Sequence, residues 1–444
     1  MDTFSKIISL CKRRGFVFPS SEIYGGFGSC YDFGPLGVEV KNNIKREWWQ
    51  SMLGGEKEIV GLDAAILMSP RVWQASGHLT AGFADELVEC KQCNKRFKKD
   101  EIKGDTCPEC GGKLSKPRKF NLMMKTFVGA VEDEASETYL RAETCQGIYV
   151  NFENVWKSMR LKIPFGIAQI GKSFRNEITP KDFIYRTREF EQMEMQWFCR
   201  PKNADKFFEY WRDRRIKWYL DLGLRKENLR TIEVPEKERA HYARRQVDIE
   251  YHFPFGWHEI EGIHNRGDYD LSNHSKHSGK DLRYSETDSS GKEKKYFPYI
   301  IETSVGADRS FYAFLTDAYS EIKGARTKTT KAVKEVEILL KFHKKLTPVK
   351  VAVLPLVKNK SELTKKAREI YSLLISYFSC QYDESGSIGR RYRRQDEIGT
   401  MYCITCDFET LEDDTVTVRN RDTMKQERIE VKKLVDFLKN KLEN

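Results

Sequence analysis

The stretch that decides the fold is Gly171-Lys-Ser-Phe-Arg-Asn-Glu-Ile-Thr-Pro-Lys-Asp-Phe-Ile-Tyr-Arg-Thr-Arg-Glu-Phe-Glu-Gln-Met-Glu-Met-Gln-Trp-Phe198. Its pattern predicts a strand, a polar loop and a second strand. Side chains two apart on a strand share a face, so Arg175 and Glu177 lie together. Arg188, Phe190 and Gln192 share a face of the second strand for the same reason. The stretch therefore predicts antiparallel sheet with charged and aromatic side chains on one surface.

This combination of side chains suits a nucleotide. A guanidinium can hold a phosphate through two hydrogen bonds, and an aromatic ring can stack on a base. Taken alone, a hairpin with surface ion pairs is an equally good interpretation, since such pairs are common and contribute little. Two further segments favour the nucleotide. Glu302-Thr-Ser-Val-Gly-Ala-Asp-Arg309 follows an apolar strand and adds a cation beside small residues. Trp257-His-Glu-Ile-Glu-Gly262 is expected to place Glu259 and Glu261 on one strand face, as Mg²⁺ would require.

Outward from this hairpin, the chain divides by composition. Residues 1–85 and 120–325 are expected to form one α+β domain on an antiparallel sheet, with a buried strand in the apolar run 61–70. Residues 86–119 are an insertion, and 326–347 are a basic linker. Residues 348–444 alternate strands and helices, which predicts a separate α/β domain. The polar segment 278–295 is expected to be an exposed hairpin or loop.

The insertion contains two Cys-x-x-Cys pairs, Cys90-Lys-Gln-Cys93 and Cys107-Pro-Glu-Cys110. Each pair can place two thiolates on one tight turn, and two such turns complete a tetrahedron, which predicts a zinc ribbon. Such a site leaves no open coordination position, so its expected role is folding and not catalysis. The alternatives are a ribbon that binds no metal and a redox dithiol pair.

The bulk composition narrows the class of protein. The 444 residues carry a net charge of +11, which favours a polyanionic partner about as strongly as it favours a lysine-rich solvated surface. No apolar run approaches the ~18 residues of a membrane helix, and the N-terminus lacks the features of a secretory signal. The sequence therefore predicts a cytoplasmic protein with no membrane partner.

Several blocks carry a resemblance to a known family. Phe174-Arg-Asn-Glu177 with Arg188-Glu-Phe190 resembles motif 2 of the class II aminoacyl-tRNA synthetases, and Gly306-Ala-Asp-Arg309 resembles motif 3. The helix and strand before Pro70 resemble motif 1, the dimer element of that family. Blocks that look like the homodimeric glycyl-tRNA synthetases cover nearly the whole chain: Glu22–Gly26, Tyr31–Gly37, Ser76–His78, Arg141–Gly147, Phe190–Glu194 and Gly386–Arg394.

The resemblance implies a glycine–tRNA ligase that forms glycyl-adenylate from glycine and ATP and transfers glycine to the 3′ end of tRNA(Gly). The implied fold is the class II catalytic domain with a zinc-ribbon insertion and a C-terminal anticodon-binding domain, assembled as a homodimer. Implied cofactors are ATP, Mg²⁺ and a structural Zn²⁺. Arg175, Glu177 and Arg309 would be the catalytic residues: Arg175 holds the α-phosphate, Arg309 the γ-phosphate and Glu177 the adenine.

The resemblance also implies two sets of binding residues. The ATP site would comprise Arg175, Asn176, Glu177, Tyr185, Arg186, Thr187, Arg188, Glu189, Phe190, Glu259, Ile260, Gly306, Ala307, Asp308 and Arg309. The glycine site would comprise Glu143, Phe190, Glu191, Gln192, Met193, Glu194, Glu302, Thr303, Ser304, Val305, Gly306 and, where the family has an arginine, Lys98.

In the last domain, four arginines surround an aromatic residue: Arg390, Arg391, Arg393 and Arg394, with Tyr392 between them. This pattern suits the phosphates and unstacked bases of single-stranded RNA. The alternative is a solvated basic helix. We therefore expect these arginines to contact the tRNA anticodon region.

Three departures from the family pattern affect the glycine pocket. Ala142 stands where the family usually has proline, Cys145 where it has alanine, and Thr303 where it has proline. They change backbone stiffness and leave the charged groups in place. Three other interpretations remain: a class II synthetase for another amino acid, a synthetase-like RNA-binding or regulatory protein without ligase activity, and a zinc-ribbon nucleic-acid binder. Retention of both Arg175 and Arg309 argues against the second.

Overall fold

The computed structural model describes residues 2–55, 57–80, 83–178, 182–287, 290–324 and 336–443. Its helices alternate with strands along most of the chain. The helices are α1 Thr3–Arg14, α2 Pro35–Leu53, α3 Pro70–Ala75, α4 Cys145–Val150, α5 Phe152–Ser158, α6 Ala204–Asp221, α7 Tyr269–Ser278, α8 Ala307–Ala318, α9 Ser361–Leu374, α10 Ile388–Ile398, α11 Phe408–Asp413 and α12 Leu434–Glu443.

The strands fall into one large sheet, a C-terminal sheet and several small ones. They are β1 Val17–Pro19, β2 Tyr31–Phe33, β3 Ile59–Gly61, β4 Ala84–Glu89, β5 Arg96–Lys98, β6 Arg118–Asn121, β7 Met124–Phe127, β8 Glu137–Leu140, β9 Phe165–Phe174, β10 Glu189–Cys199, β11 Leu229–Glu233, β12 Arg245–Phe253, β13 Gly256–Gly267, β14 Tyr284–Thr287, β15 Glu293–Tyr296, β16 Tyr299–Gly306, β17 Tyr319–Lys323, β18 Val336–Leu340, β19 Val351–Pro355, β20 Cys380–Tyr382, β21 Tyr402–Cys406, β22 Thr415–Asn420 and β23 Gln426–Glu430.

The large sheet has the order β11-β12-β13-β16-β10-β9-β3. Neighbouring strands run antiparallel, except that β3 runs parallel to β9. Helices α6 and α8 cover one face, where the indole rings of Trp197 and Trp211 meet at 5.4 Å between centroids. The main hydrophobic core lies between this face and the helices. The predicted antiparallel architecture is thus confirmed for six strands, and the hairpin β9–β10 that predicted it lies within the sheet.

The apolar run 61–70 was expected to be a buried strand, and the structure corrects this. The strand is β3, which ends at Gly61. Beyond it the backbone stays beside β9 through the Leu62 amide, which donates to the Ala168 carbonyl (2.9 Å), and the Ala64 amide, which donates to the Gln169 side chain (3.0 Å). An isolated bridge joins Leu67 to Leu140 of β8. The segment is apolar in composition, but it is only half-buried, and Leu67 is 48% exposed. Composition alone therefore did not distinguish it from a core strand.

The cysteine-rich insertion forms a three-stranded sheet in the order β5-β4-β6. It is hydrogen-bonded to the large domain at its exit, where the Asn121 side chain donates to the His78 carbonyl (2.8 Å). Immediately after it, the Leu122 carbonyl accepts from the Asn176 amide (2.8 Å). A second attachment is the ion pair between Glu101 and Arg186 (3.0 Å). The insertion is therefore held directly against the loop that joins β9 and β10.

The C-terminal sheet has the order β20-β19-β21-β22-β23, parallel for the first three strands and antiparallel beyond. The basic segment 326–347 was expected to be a linker. Residues 326–335 lie outside the described part of the chain, and 336–340 form β18, which pairs with β17. Phe342 and Leu346 then pack into the main core, so the second half of the segment is part of the fold.

The predicted exposed hairpin at 278–295 is confirmed for its described residues, which include β14 paired with β15. In the part of the chain that the structure describes, no helix is both long enough and apolar enough to cross a membrane.

Candidate active site

A cleft of about 410 Å³ opens over the large sheet, beside the hairpin β9–β10. Strand alternation decides which side chains face it: Phe190, Gln192 and Glu194 of β10 do, and so do Glu302 and Ser304 of β16. The antiparallel register pairs Glu194 with Ser304, which brings the two strands' polar residues together. The cleft is lined by Glu143, Arg175, Glu177, Ile184, Tyr185, Arg186, Thr187, Phe190, Gln192, Glu194, Glu238, Ala240, Tyr242, Gln246, Glu259, Gly262, His264, Glu302, Ser304, Gly306, Asp308 and Arg309.

Arg175 is positioned by two aromatic rings and one carbonyl. Its guanidinium carbon lies 5.5 Å from the ring centre of Phe190 and 5.5 Å from that of Phe83. Its Nε donates to the Ala142 carbonyl (3.2 Å). Cation–π contacts and one hydrogen bond orient the guanidinium without neutralising it. The group therefore retains its charge for an anion in the cleft.

Arg309 is held at the first turn of α8 by the loop before β10 and by β13. Its Nε donates to the Tyr185 carbonyl (3.3 Å), and Nη1 lies 3.2 Å from the Glu259 carboxylate. Its guanidinium carbon lies 4.4 Å above the Tyr185 ring. The Tyr185 hydroxyl in turn donates to the Glu259 carbonyl (3.0 Å). Arg175 and Arg309, from distant parts of the chain, thus line one cleft.

Three buried glutamates form the other end of the cleft: Glu143, Glu194 and Glu302. Burial raises the pKa of Glu194 to about 7, and the charges of Glu302 and Glu143 add to the shift. Its carboxylate accepts hydrogen bonds from Ser304 Oγ (2.7 Å) and from Thr144. This end therefore carries a concentrated negative charge, which suits an ammonium group.

The other two glutamates stay ionised because cations oppose the effect of burial. Burial alone would raise the pKa of Glu143, but His78 (3.4 Å) and Arg266 outweigh it, and the pKa lies well below its ordinary value. Burial likewise acts on Glu302, where Arg266 and His264 outweigh it and lower the pKa. The negative charge of the pocket is thus stabilised by buried groups of the protein, and Arg266 acts on both glutamates.

Arg266 lowers the pKa of both glutamates and is itself held by several contacts. It is 2% exposed, its Nη1 donates to Glu302 (2.6 Å), and its Nε and Nη2 donate to Asp270 (2.7 and 2.8 Å). Its guanidinium carbon lies 3.6 Å above the ring of Tyr242. A bidentate pair with one carboxylate and a single bond to the other fixes the orientation of Glu302.

Several predicted glycine-site residues lie on the opposite face of the sheet. These are Glu191, Met193, Thr303 and Val305, whose neighbours in sequence face the cleft. Glu191 forms ion pairs with Lys41 (2.8 Å) and Lys45 (3.1 Å) of α2, and the other three are buried. A contiguous block of sequence cannot all face one side of a strand, because side chains alternate.

The expected pairing of Glu259 and Glu261 on one strand face is wrong. The register of β12 against β13 shifts between Ile249 and Glu250, which places a β-bulge at Ile260. Glu259 consequently lines the cleft, while Glu261 is buried against Arg215 of α6 (2.6 Å). Ile260 lies in the main core and not in the ATP site as predicted.

The remaining predicted ATP-site residues differ in placement. Arg188 donates to the carbonyls of Glu177 (3.3 Å) and Gly28 (3.0 Å), and so supports the loop instead of lining the cleft. The backbone amide of Asn176 donates to the Leu122 carbonyl. Glu189 is exposed and forms an ion pair with Lys172, and Ala307 is buried in the main core. Tyr185, Arg186, Thr187, Gly306 and Asp308 do line the cleft.

Lys98 was expected to reach the glycine site. In the structure it forms ion pairs with Asp85 (3.0 Å) and Asp100 (3.5 Å) of the insertion and is absent from the cleft lining. Lysine is shorter in reach than the family's arginine and carries a point charge, which these two carboxylates satisfy.

The four cysteines of the insertion meet as predicted. The sulfur atoms of Cys90, Cys93, Cys107 and Cys110 lie within 4.8 Å of one another. Sγ of Cys90 is 3.4 Å from Sγ of Cys110, and Sγ of Cys93 is 3.8 Å from Sγ of Cys107. Sulfurs about 3.8 Å apart are what a tetrahedron with Zn–S bonds of about 2.3 Å requires. The donor set and its spacing therefore fit Zn²⁺.

The four arginines of α10 do not form one surface. Arg391 is 1% exposed, and its guanidinium donates to the backbone carbonyls of Glu384 (2.8 Å) and Gly386 (2.7 Å). Arg394 pairs with Asp383 (2.7 Å) and Arg393 with Glu337 (3.3 Å). Arg390 is exposed. The assignment of Arg391 to tRNA contact is therefore wrong, because this side chain secures the turn before its own helix.

Sequence reasoning missed four residues that shape the acidic end: His78, Tyr242, His264 and Arg266. His78 stood inside a recognised block, Ser76–His78, which was a usable signal. The other three come from β13 and the loop before β12, and no local pattern links them to the hairpin. Their roles depend on long-range contacts.

Comparisons with known proteins agree with this geometry. Residues 128–318 match the family model "tRNA synthetase class II core domain (G, H, P, S and T)", and residues 350–441 match "Anticodon binding domain". The chain is 53% identical over 442 residues to the glycine–tRNA ligase of Borreliella burgdorferi strain B31, covering 99% of this chain and 97% of that one. It is 51% identical over 447 residues to the glycine–tRNA ligase of Treponema denticola, covering 100% and 98%.

A solved structure shares the fold. The prolyl-tRNA synthetase of Cryptosporidium parvum, complexed with halofuginone and AMPPNP, superimposes with a TM-score of 0.65 at 16% identity. The match covers 98% of this chain and 75% of that one. At this identity the likeness concerns the fold.

Proposed function

The chain belongs to the glycine–tRNA ligase family of the class II aminoacyl-tRNA synthetases. We propose how the side chains of its cleft activate glycine and transfer it to tRNA. The enzyme activates glycine with ATP to glycyl-adenylate and pyrophosphate, and then transfers glycine to the 3′-terminal adenosine of tRNA(Gly). The observation that carries the proposal is the cleft itself, which three buried carboxylates and two guanidinium groups line together.

In the first step, a carboxylate oxygen of glycine attacks the α-phosphorus of ATP and the bond to the bridging oxygen of pyrophosphate breaks. The carboxylate is already a nucleophile, so catalysis consists of positioning and charge neutralisation. Arg175 holds the α-phosphate, Arg309 holds the γ-phosphate, and Phe190 stacks on the adenine. Class II synthetases use Mg²⁺, and Glu259 fits this ion because its carboxylate, 42% exposed, lies in the cleft beside Arg309. Bound there, Mg²⁺ would neutralise phosphate charge.

In the second step, the terminal 3′-hydroxyl of the tRNA attacks the glycyl carbonyl and AMP leaves. The C-terminal domain matches an anticodon-binding domain, and we propose that Arg390, with Arg393 and Arg394 beside it on α10, contacts the anticodon region. Charging of tRNA(Gly) with radiolabelled glycine tests the complete reaction. Failure to form glycyl-tRNA in the presence of ATP would remove the assignment.

The raised pKa of Glu194 predicts a pH dependence of glycine use. Because the pKa of Glu194 is raised to about 7, its carboxylate is mostly negative above that pH and mostly neutral below it. Since the charge attracts the glycine ammonium, kcat/KM for glycine should fall as pH decreases through about 7. Measuring kcat/KM from pH 6 to 8.5 checks this.

The Glu194→Gln variant provides the matched control for this dependence. Its side chain cannot ionise, so its kcat/KM should be low and should lose this inflection. An inflection near pH 7 that persists in Glu194→Gln would assign the titration to another group.

We propose that the four-cysteine cluster holds one structural Zn²⁺, on the evidence of its sulfur spacing. Bound zinc would join the two Cys-x-x-Cys turns and stabilise the insertion, after whose last strand the Leu122 carbonyl accepts from the Asn176 amide of the loop between β9 and β10.

Replacing Cys93 with serine is expected to abolish zinc binding and lower the melting temperature. Metal analysis by mass spectrometry should find about one zinc per wild-type chain and none in the variant. Cys380→Ser, far from the cluster in sequence and in the C-terminal sheet, should retain the metal. Full zinc occupancy in Cys93→Ser would contradict a four-sulfur site.

We further propose a homodimer in the cytoplasm. Val38 of α2 and Leu67 after β3, in the segments that resemble motif 1, are 39% and 48% exposed in the single chain. The proposal rests on the resemblance of these segments to motif 1, the dimer element of the family. Sedimentation equilibrium should give twice the 52.0 kDa of one chain, and a monomer at micromolar concentration would contradict the dimer.

A further inference from the structure

A glycine-specific cleft must exclude amino acids that carry a side chain. The groups around the acidic end are mostly polar: Gln192, Gln246 and the three glutamates. A flexible wall gives way to a methyl group at little cost, whereas a rigid one does not, because packed atoms resist displacement. Specificity against alanine therefore requires a rigid group at this end of the cleft.

Tyr242 is an aromatic residue that lines the acidic end of the cleft, whereas the ring of Phe190 lines the cleft beside Arg175. Burial raises the pKa of the Tyr242 hydroxyl well above its ordinary value, and the charges of Glu302 and Glu143 act in the same direction. The hydroxyl consequently stays protonated. Tyr242 lines the same cleft as those carboxylates.

Four contacts hold this ring in place. One face lies 3.6 Å from the guanidinium carbon of Arg266. The rings of His264 and His241 meet it edge-on at 5.8 and 5.3 Å, and the Tyr269 ring lies 6.5 Å away. Arg266 is itself fixed by Asp270 and Glu302, so it cannot yield. Rings locked in this way behave as a rigid surface.

The loop that carries Tyr242 is also fixed at both ends. The Arg239 side chain donates from Nε to the Val234 carbonyl (2.9 Å) and from Nη1 to the Arg244 carbonyl (2.7 Å). The Ala240 amide donates to the Gln246 side chain (3.3 Å). The loop thus closes on itself between β11 and β12.

We propose that Tyr242 is a specificity-determining residue: its immobilised ring is the wall that excludes alanine and larger amino acids from the acidic pocket. The inference rests on the proposed glycine activation and identifies how that same site selects its substrate. Arg266 acts through Tyr242 as a positioning residue, since it supports the face of the ring.

The test compares alanine with glycine in ATP–pyrophosphate exchange. Tyr242→Ala should raise the ratio of kcat/KM for alanine to that for glycine by about tenfold or more, the discrimination that one methyl group allows. Tyr242→Phe keeps the ring and should keep the wild-type ratio. If Tyr242→Ala does not fold, as shown by circular dichroism, Tyr242→Leu, which removes the planar ring but remains apolar, carries the same prediction.

The outcomes separate this inference from the proposed function. A ratio that stays at the wild-type value while both substrates lose activity equally would mean that Tyr242 has only a structural role, and would overturn the inference. Wild-type enzyme that shows no exchange with glycine would overturn the proposed function itself. A raised alanine ratio in Tyr242→Phe as well would assign exclusion to the hydroxyl and not to the ring, which also contradicts the wall.

Discussion

Replacing Arg175 with glutamine is expected to lower glycine-dependent ATP–pyrophosphate exchange by about 10²–10³-fold, the effect of removing one preorganised donor from a developing charge. The guanidinium faces the cleft between the rings of Phe190 and Phe83, and its Nε donates to the Ala142 carbonyl. Glutamine preserves part of the length but supplies neither the positive charge nor two parallel donors. The loss should appear in kcat more than in KM for glycine.

The fold should survive this change, because the Arg175 side chain contributes one hydrogen bond, to the Ala142 carbonyl, and otherwise packs on two rings. Thermal unfolding of Arg175→Gln should match that of the wild type within a few degrees. Arg200→Gln is a matched control, since Arg200 lies on the surface and pairs with Glu286 of the distant hairpin (2.8 Å). Near-normal exchange in Arg175→Gln would remove Arg175 from its proposed role.

Replacing Arg266 with methionine is expected to cost about 3–5 kcal/mol of folding free energy, because it leaves two buried carboxylates without their cation. Asp270 and Glu302 are 1% and 3% exposed, and Arg266 supplies three of their hydrogen bonds. Without Arg266, burial and Glu143 raise the pKa of Glu302, so the pocket loses negative charge. Glycine activation should therefore fall together with stability.

Denaturant unfolding monitored by tryptophan fluorescence measures this loss. Arg283→Met is the matched control: Arg283 pairs with Asp281 (2.9 Å) on the surface, where an ion pair contributes little. A stability of Arg266→Met equal to that of the control would show that the buried network is not needed. Such a result would also weaken the support inferred for Tyr242.

Much of the architecture was predictable from local pattern. The hairpin β9–β10 and the cysteine cluster each depend on residues close in sequence. Cys90 and Cys93 need only one turn to meet, and Phe190 and Gln192 need only strand alternation. Local rules suffice where the chemistry is local.

The failures share a physical origin in contacts that sequence spacing does not encode. The β-bulge at Ile260 separates Glu259 from Glu261, although their spacing suggested one face. Arg391 resembles its neighbours in sequence but is buried by the turn at Gly386. The Arg266 side chain joins β13, α7 and β16, which only the folded sheet brings together.

The residues that the family resemblance named likewise divide into those that line the cleft and those that do not. Blocks of contiguous positions, such as Phe190 to Glu194, contained both cleft and core residues because the strand alternates. Charge did not distinguish them either: Glu143, Arg175, Glu194, Glu302 and Arg309 line the cleft, whereas Arg188, Glu189, Glu191 and Lys98 do not. Which charged residues face the cleft depends on the folded sheet and not on residue type alone.

The most direct test of the account is ATP–pyrophosphate exchange by the full-length wild-type protein, with glycine, alanine and serine supplied separately. We expect exchange with glycine and a value of kcat/KM for alanine and serine lower by at least about two orders of magnitude, as steric exclusion from a rigid pocket requires. Exchange that is absent with glycine, or equal with alanine, would contradict a glycine-activating cleft.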